Sequence, residues 1–169
     1  MTDSQLAVLL ADMNATGLFN SLVRDSTGAA VVESYYNQLF VPDYWVWKTS
    51  LTKEDITAKT SVDNTNWSWT AYISRSQGER DAFKEIFVSA GDNVATVNAS
   101  LVNVRSGFSD IFSGVSGAAQ RTHLLAIARR LANKFERLFS VGLGTSASPS
   151  TMVIEGNLSV SDVLRVWAL

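Results

Sequence analysis

The sequence predicts a mainly α-helical protein: a helical bundle of five or six helices with a short C-terminal β-strand or hairpin and a flexible Gly/Ser linker. Three observations support this. Apolar residues recur at helical spacing, glycine or proline follows several of these stretches, and strand-like alternation is confined to TMVIE near the C-terminus. Because 169 residues suffice for one sizeable core, we expect a single helical domain over residues 1–169.

Composition excludes several classes of protein. The chain has no cysteine, so disulfides, thiolate nucleophiles and zinc fingers are excluded. No apolar run approaches ~18 residues, which excludes a membrane-spanning helix. The N-terminal MTDSQ lacks the charge pattern of a secretory signal.

The first third of the chain predicts two helices and an extended segment. SQLAVLLADM carries apolar residues at helical spacing, with Asp3 or Ser4 available as N-cap. STGAAVVESYYNQLF predicts a helix that ends before Pro42, because the residue before a proline avoids the helical region. VPDYWVWKTS is typical of extended chain.

The middle of the chain predicts two more helices separated by a loop. In LTKEDITAK, Thr52 and Asp55 have the spacing of a capping box, which indicates a brief helix. SVDNTNWSWT is typical of a loop anchored by two tryptophans. SRSQGERDAFKEIFVSAG is amphipathic, and Gly91 would end that helix.

Two longer amphipathic helices should form the centre of stability. Apolar residues recur from Val97 to Phe112 and again from Leu124 to Phe139, and SGVSG joins the two stretches. Helices joined by so short a turn are expected to pack antiparallel.

The C-terminal region breaks the helical pattern. Residues 142–160 are predicted to be a linker plus a β element, from GLGTSASPS and TMVIE. Residues 160–169 form a predicted terminal short helix, with Ser159 and Asp162 at capping spacing.

Basic residues concentrate in the stretch predicted to be the second long helix. Residues 1–120 hold eight Lys/Arg and thirteen Asp/Glu, whereas residues 121–169 hold six and three. Solvation of an exposed face explains this helix most simply, and contact with an acidic neighbour or a nucleic acid remains an alternative. The basic side chains of the stretch are Arg121, Arg129, Arg130, Lys134 and Arg137.

Nine of the seventeen aromatic residues lie between Tyr35 and Tyr72. Such residues serve as core or loop anchors, as contacts between subunits, or as stacking platforms for sugars or bases. In the interface hypothesis, 152–159 also extends a neighbour's sheet. The residues predicted to form the subunit interface are Trp45, Trp47, Trp67, Trp69, Arg130, Arg137, Met152, Val153, Ile154 and Glu155.

No set of residues assembles into a catalytic motif. The only histidine, His123, is expected at the surface or at a helix end, and no G-x-S-x-G elbow is present. GLGTSAS lacks the lysine of a phosphate loop. We expect no catalytic residue, no cofactor, no metal and no small-molecule ligand.

Four segments carry a resemblance to a known group of proteins. They are VWKTSLTKEDI, NVRSGFSDIFSG, LLAIARRLANKFERLF and GLGTSASPSTMVIEGNLSVSDV. In this order they are similar to small virion-associated proteins of tailed bacteriophages, over residues 45–165. The resemblance implies a structural part of the particle, at the head-to-tail joint or on the tail.

We therefore expect a non-enzymatic virion structural protein of the head-tail connector or adaptor kind. It would form a ring-shaped homo-oligomer and dock to other virion proteins such as portal or tail components. Two alternatives remain open: a DNA-contacting helical module in packaging or replication, and a transient tail-assembly chaperone.

Overall fold

Helices dominate the secondary structure, as the sequence predicts. A computed structural model describes residues 1–87 and 96–169, and these residues form nine helices. The mainly α class is confirmed. A bundle of five or six helices is not confirmed, because several predicted helices are shorter or divided.

The helices are α1 (Asp3–Thr16), α2 (Ser26–Tyr36), α3 (Lys53–Ala58), α4 (Trp69–Ile73), α5 (Gln77–Glu85), α6 (Val102–Ile111), α7 (Gly114–Ile127), α8 (Lys134–Leu138) and α9 (Val160–Trp167). The strands are β1 (Trp45–Trp47), β2 (Leu51–Thr52), β3 (Thr96–Val97), β4 (Arg129–Leu131), β5 (Ser140–Val141) and β6 (Thr151–Met152). They form three two-stranded sheets, β1–β4, β2–β3 and β5–β6. The β2–β3 pair is antiparallel, with Leu51 opposite Val97.

The chain divides into two compact units. Unit 1 comprises Met1–Tyr44, Leu131–Val141 and Met152–Leu169, and unit 2 comprises Trp45–Arg130 and Gly142–Thr151. Unit 1 contains α1, α2, α8 and α9, whereas unit 2 contains α3 to α7. Two of the boundaries fall inside the short strands β4 and β6.

Unit 1 has a core made by one apolar face from each of its helices. Thr2 is the N-cap of α1: its side chain accepts from the Gln5 N–H, and the Gln5 side chain accepts from the Thr2 N–H. The N-cap is thus Thr2 and not Asp3 or Ser4. The buried members of this core are Leu6, Leu9, Met13, Phe19, Ala29, Val32, Tyr36, Phe135, Phe139, Leu158, Val163 and Val166.

The second helix ends earlier than the sequence predicts. It stops at Tyr36, and the chain then runs beside the segment that precedes α8. There the Phe40 N–H donates to the Ala132 carbonyl at 3.0 Å, and Leu39 pairs with Asn133 in an isolated antiparallel bridge. These long-range backbone bonds replace the bonds that further helix would make.

The predicted basic helix is wrong as one continuous element. The seventh helix ends at Ile127, Arg129 and Arg130 lie in β4, and α8 starts only at Lys134. Backbone pairing accounts for the break, because the Lys48 N–H donates to the Ala128 carbonyl and β4 pairs with β1. Tertiary pairing therefore overrides a local sequence that favours helix.

Unit 2 has its own core, to which α3, α5, α6 and α7 contribute. Thr52 and Asp55 form the predicted capping box of α3, with both reciprocal bonds present. Helices α6 and α7 pack against each other across the two residues that join them. The buried members of this core are Leu51, Ile56, Trp67, Phe83, Phe87, Val97, Ala99, Phe108, Ile111, Phe112, Leu124, Ile127 and Ala128.

The end of α5, the start of α9 and the strand near the C-terminus can be compared with the sequence-based predictions. The amphipathic helix predicted before Gly91 is α5, which ends at Glu85, and Gly91 itself lies outside the described residues. Near the C-terminus, Ser159 caps α9 by accepting from the Asp162 backbone at 3.2 Å. The strand predicted over TMVIE is only the two residues of β6, which pair with β5 of the same chain.

Candidate docking cavity of unit 1

A concavity of unit 1 is lined by residues of α1, α2 and α8, and we call it the α8 cavity. Its volume is about 590 Å³, which falls in the range of sites that hold small ligands or short peptide segments. Its lining combines aromatic, aliphatic and charged side chains: Asp12, Thr16, Tyr35, Tyr36, Gln38, Leu39, Phe40, Val41, Lys134, Arg137 and Leu138.

One wall is fixed by a hydrogen bond between α1 and α2. The Tyr36 hydroxyl donates to Oδ2 of Asp12 at 2.6 Å, and the Tyr36 side chain is almost fully buried. Burial, followed by this bond to a carboxylate, raises the pKa of Tyr36 far above its ordinary value. Tyr36 therefore stays neutral and donates to Asp12 throughout the physiological pH range.

Two cations that also line the cavity rest on aromatic rings. Lys134 Nζ lies 3.5 Å from the centroid of the Tyr35 ring and donates to Gln38 Oε1 at 3.0 Å. The Arg137 guanidinium lies 5.3 Å from the Phe40 centroid and 5.6 Å from that of Tyr44. Both cations are within the distance at which a ring face attracts a positive charge.

A buried polar network fixes the helix that carries these cations. Asn133 and Glu136 form a capping box at the start of α8, and Glu136 is only 2% exposed. The same carboxylate accepts from the Gly156 N–H at 2.9 Å, while Asn133 Nδ2 donates to the Gly156 carbonyl at 3.1 Å. The start of α8 is thereby tied to the chain that leads into α9.

An amide side chain at the end of α2 ties down the same C-terminal segment. Asn37 Oδ1 accepts from the Leu158 N–H at 2.8 Å, and its Nδ2 donates to the Leu158 carbonyl at 3.0 Å. One side chain thus satisfies both backbone groups of a buried residue. This bond pair and the α8 network hold the residues around the α8 cavity in a defined geometry.

A second concavity lies along α2, and we call it the α2 groove. It has a volume of about 750 Å³ and shares Tyr35 and Gln38 with the α8 cavity. Leu18 and Val31 in its walls are 59% and 49% exposed. The remaining lining residues are Phe19, Thr27, Ala30 and Ser34.

The first pair of predicted interface tryptophans, Trp45 and Trp47, belongs to unit 2. An arginine guanidinium packs over each indole. The Arg129 guanidinium lies 5.3 Å from the Trp45 ring centroid, and the Arg105 guanidinium lies 4.4 Å from that of Trp47. Both indoles are half-buried. They therefore keep only part of their surface available to another molecule.

The second pair differs in exposure. Trp67 is buried in the core of unit 2 and stacks on Phe83 at a centroid distance of 5.3 Å. Trp69 is 53% exposed and meets the edge of Trp67 at 6.0 Å. Trp67 is therefore a core anchor, which was one of the interpretations that the sequence left open.

The other predicted interface residues are divided between the units. Arg130 is half-buried in β4 of unit 2, whereas Arg137 is exposed in unit 1 and lines the α8 cavity. Met152 is buried and Ile154 packs against the unit 1 core. Val153 and Glu155 are exposed. The ten predicted residues thus do not form one cluster within either unit.

The prediction that His123 lies at the surface or at a helix end is wrong. Its side chain is fully buried in unit 2. Its Nε2 lies 2.7 Å from the Ile56 carbonyl and its Nδ1 lies 3.0 Å from Thr65 Oγ1. These partners satisfy both ring nitrogens, so His123 links α7 to α3 and to the loop before α4. Among the described residues, no group of His, Asp and Glu is arranged to hold a metal ion.

The predicted basic residues are also dispersed. Arg121 Nη1 donates to the Phe112 carbonyl at 2.6 Å, and Arg129 Nη2 pairs with Asp63 at 2.5 Å. These two guanidinium groups bind protein acceptors in unit 2, whereas Lys134 and Arg137 lie in unit 1. The five basic side chains therefore do not line one face of one helix.

Most residues of the α8 cavity carry no signal in the sequence. Asp12 and Tyr36 have no motif that marks them, and their contact joins two helices 24 positions apart. One local signal was present, since Asn133 and Glu136 have the N-cap to N3 spacing of a capping box. That spacing indicates a helix start at Lys134, which would have placed Lys134 and Arg137 together on one short helix.

In the described parts of the chain, no helix has both the length and the apolar character that crossing a bilayer requires. No protein-family model, curated protein or solved structure matches this chain.

Proposed function

We propose that this chain is a non-enzymatic structural protein of a tailed-phage particle, which self-assembles and docks to neighbouring virion proteins as a component of the head-tail connector. The resemblance of residues 45–165 to small virion proteins supports a place in a tailed-phage particle. The geometry of unit 1 supports the docking role, because two neighbouring concavities flank α2 and leave apolar side chains exposed.

The observation that carries the docking role is that each of these concavities has exposed apolar side chains in its lining. Leu18 and Val31 in the α2 groove and Leu39 and Val41 in the α8 cavity are between 49% and 82% exposed. Grouped apolar side chains next to a concavity are typical of surfaces that a protein partner covers. The aromatic residues beside them supply the rigid contacts that such interfaces favour.

The DNA-contacting alternative has less support. Phosphate binding needs basic side chains on one surface, whereas Arg121 and Arg129 bind Phe112 and Asp63 within unit 2. A gel-shift series at rising ionic strength tests this alternative. Retention of duplex DNA that falls steeply with salt would favour it over the structural role.

Mass spectrometry of purified virions tests the proposed function directly. We expect the chain at a stoichiometry that matches a ring of subunits, and microscopy of the same particles should place it at the head-to-tail joint. A chain that is essential for assembly but missing from finished particles would contradict a virion component and identify an assembly chaperone.

A matched pair of variants tests the docking surface. Val31→Asp places a charge in the α2 groove and should abolish incorporation into particles, because a desolvated carboxylate opposes apolar contact. Val115→Asp is the control, since Val115 is 95% exposed on α7 and belongs to neither concavity. Size-exclusion chromatography with light scattering should show assembly for the control. Strictly monomeric wild-type protein at every concentration would contradict self-assembly.

A further inference from the structure

Aromatic rings and an amide side chain hold the two cations of the α8 cavity in place. Lys134 bonds to the amide of Gln38 and rests on Tyr35, and Arg137 rests on Phe40 and Tyr44. In residues 1–87 and 96–169, neither cation makes an ion pair with a carboxylate. The rings therefore fix two positive charges at the cavity, where they remain free to meet an anion.

Apolar side chains lie beside the cations, and a free anion would leave them exposed to water. Leu39 and Val41 line the same cavity and are 56% and 82% exposed. Water contact with these side chains is relieved only by an occupant that has apolar groups of its own. The occupant that fits both features carries a negative charge beside apolar side chains.

The one acidic side chain in the lining limits the charge of that occupant. Asp12 lines the cavity and is held by the hydroxyl of Tyr36 at 2.6 Å. A carboxylate brings one negative charge to Lys134 and Arg137, whereas a phosphate dianion brings a second charge that Asp12 repels. A single carboxylate is therefore the better match to this arrangement of charges.

We propose that the α8 cavity binds an acidic peptide segment of a neighbouring virion protein, with a carboxylate on Lys134 and Arg137 and adjacent apolar side chains against Leu39 and Val41. This inference rests on the proposed function for the identity of the neighbour. The peptide chemistry comes from the cavity itself: a cation pair, an apolar rim and a volume of about 590 Å³.

Calorimetric titration of the full chain with capped tripeptides tests the inference. The probe is a capped phenylalanine-glutamate-leucine tripeptide, and its control has glutamine in place of glutamate. We expect the glutamate peptide to bind about tenfold more tightly, as a charge-assisted hydrogen bond provides. Equal affinity for the two peptides, or no binding of the glutamate peptide, would overturn the inference.

Variants locate the binding to the cavity. Arg137→Gln and Lys134→Gln should each lower the affinity for the glutamate peptide about tenfold. Neither substitution should change the affinity for the glutamine peptide. Arg24→Gln is the matched control, because Arg24 is an exposed arginine of unit 1 outside the α8 cavity. Circular dichroism confirms that each variant is folded. Binding that survives both cavity substitutions would overturn the assignment.

Two further probes separate the peptide from a simple anion. Acetate and inorganic phosphate are titrated under the same conditions, and both should bind more weakly than the glutamate peptide. Phosphate that binds as tightly as the peptide would overturn the peptide assignment in favour of an anion site. Failure of the peptide to bind leaves the virion mass-spectrometry result unaffected, so the two proposals can fail separately.

Discussion

Gly117 on α7 lies so close to the Phe112 carbonyl that a Cβ atom at position 117 would stand 2.2 Å from that oxygen. The carbonyl carbon of Phe112 would lie at 2.4 Å. Both distances are far below ordinary contact, and the atoms belong to backbone that cannot turn away. This close approach lets α7 begin at Gly114, two residues after Phe112, whose ring is buried in the core of unit 2.

Gly117→Ala should therefore destabilise the protein even though alanine favours helix. We expect a loss of about 1–3 kcal/mol in the free energy of unfolding, because the backbone of residues 112 and 117 must separate. Gly78→Ala is the control, since a Cβ on Gly78 in α5 meets no atom within 4 Å. The control should be neutral or stabilise by about 0.5–1 kcal/mol. Urea unfolding measures the free energy of unfolding of both variants. Equal changes in Gly117→Ala and Gly78→Ala would contradict the clash at position 117.

Trp67→Ala should be among the most destabilising substitutions in unit 2. The indole contacts Phe83, Tyr72 and Phe112 in the core, and removal of such a side chain costs about 3–5 kcal/mol. Trp67→Phe should cost much less, because among the described residues Trp67 Nε1 has no hydrogen-bond acceptor to lose.

The neighbouring tryptophan provides the comparison. Trp69→Ala should cost less than about 1 kcal/mol, since the side chain is 53% exposed. Thermal unfolding followed by circular dichroism measures all three variants. Similar losses for Trp67→Ala and Trp69→Ala would show that Trp67 is not a core anchor.

Glu136→Gln should destabilise unit 1 although it keeps the shape of the side chain. The buried carboxylate accepts from the backbone of Asn133 at 3.2 Å and of Gly156 at 2.9 Å. A glutamine offers one acceptor oxygen in place of two, which leaves a buried donor unpaired at a cost of about 1–3 kcal/mol. Glu85→Gln, at an exposed position in α5, is the control. Hydrogen exchange at Gly156 should accelerate in the first variant alone.

Asp55 should make stability depend on pH in the acid range. The bond from Lys59, followed by the bonds from Thr52, lowers the pKa of Asp55 from 3.8 to about 2. Its carboxylate is therefore stabilised in the folded state, and that stability is fully present above the unfolded pKa near 3.8. It is lost as pH falls from 3.8 through 2, with a total of roughly 1–2 kcal/mol.

Asp55→Asn should remove this contribution. The free energy of unfolding, measured by denaturant titration between pH 2 and pH 5, should vary less in the variant than in the wild type. Glu54→Gln, exposed in the same first turn of α3, is the control and should keep the wild-type pH profile. If the free energy of unfolding of Asp55→Asn varied with pH as steeply as that of the wild type, Asp55 would not be the source of the pH dependence.

The sequence predicts the helices whose signals are local. Thr52 with Asp55 and Ser159 with Asp162 mark the starts of α3 and α9 because capping depends on residues three positions apart. Long-range pairing, in contrast, determines the secondary structure of residues 128–133. Their helical pattern gives way to β4 because β1, more than eighty positions earlier, binds the backbone.

The same distinction explains what the sequence revealed of the candidate site. Arg137 was identified from its charge, but its contacts with Phe40 and Tyr44 depend on how unit 1 folds. His123 was misplaced for a related reason. Its neighbours Ile56 and Thr65 come from distant elements, and the residues next to it along the chain do not indicate that it is buried.

Unit 1 is discontinuous along the chain, and this dictates an order of events during synthesis. Helices α1 and α2 leave the ribosome before Phe135, Val163 and Val166, which complete their core. All members of the other core lie between Leu51 and Ala128, so unit 2 can bury its apolar side chains first. Until Val163 and Val166 are synthesised, the core that buries Leu6, Leu9 and Val32 is incomplete. The nascent chain is therefore most vulnerable to aggregation at α1 and α2, where a chaperone would bind.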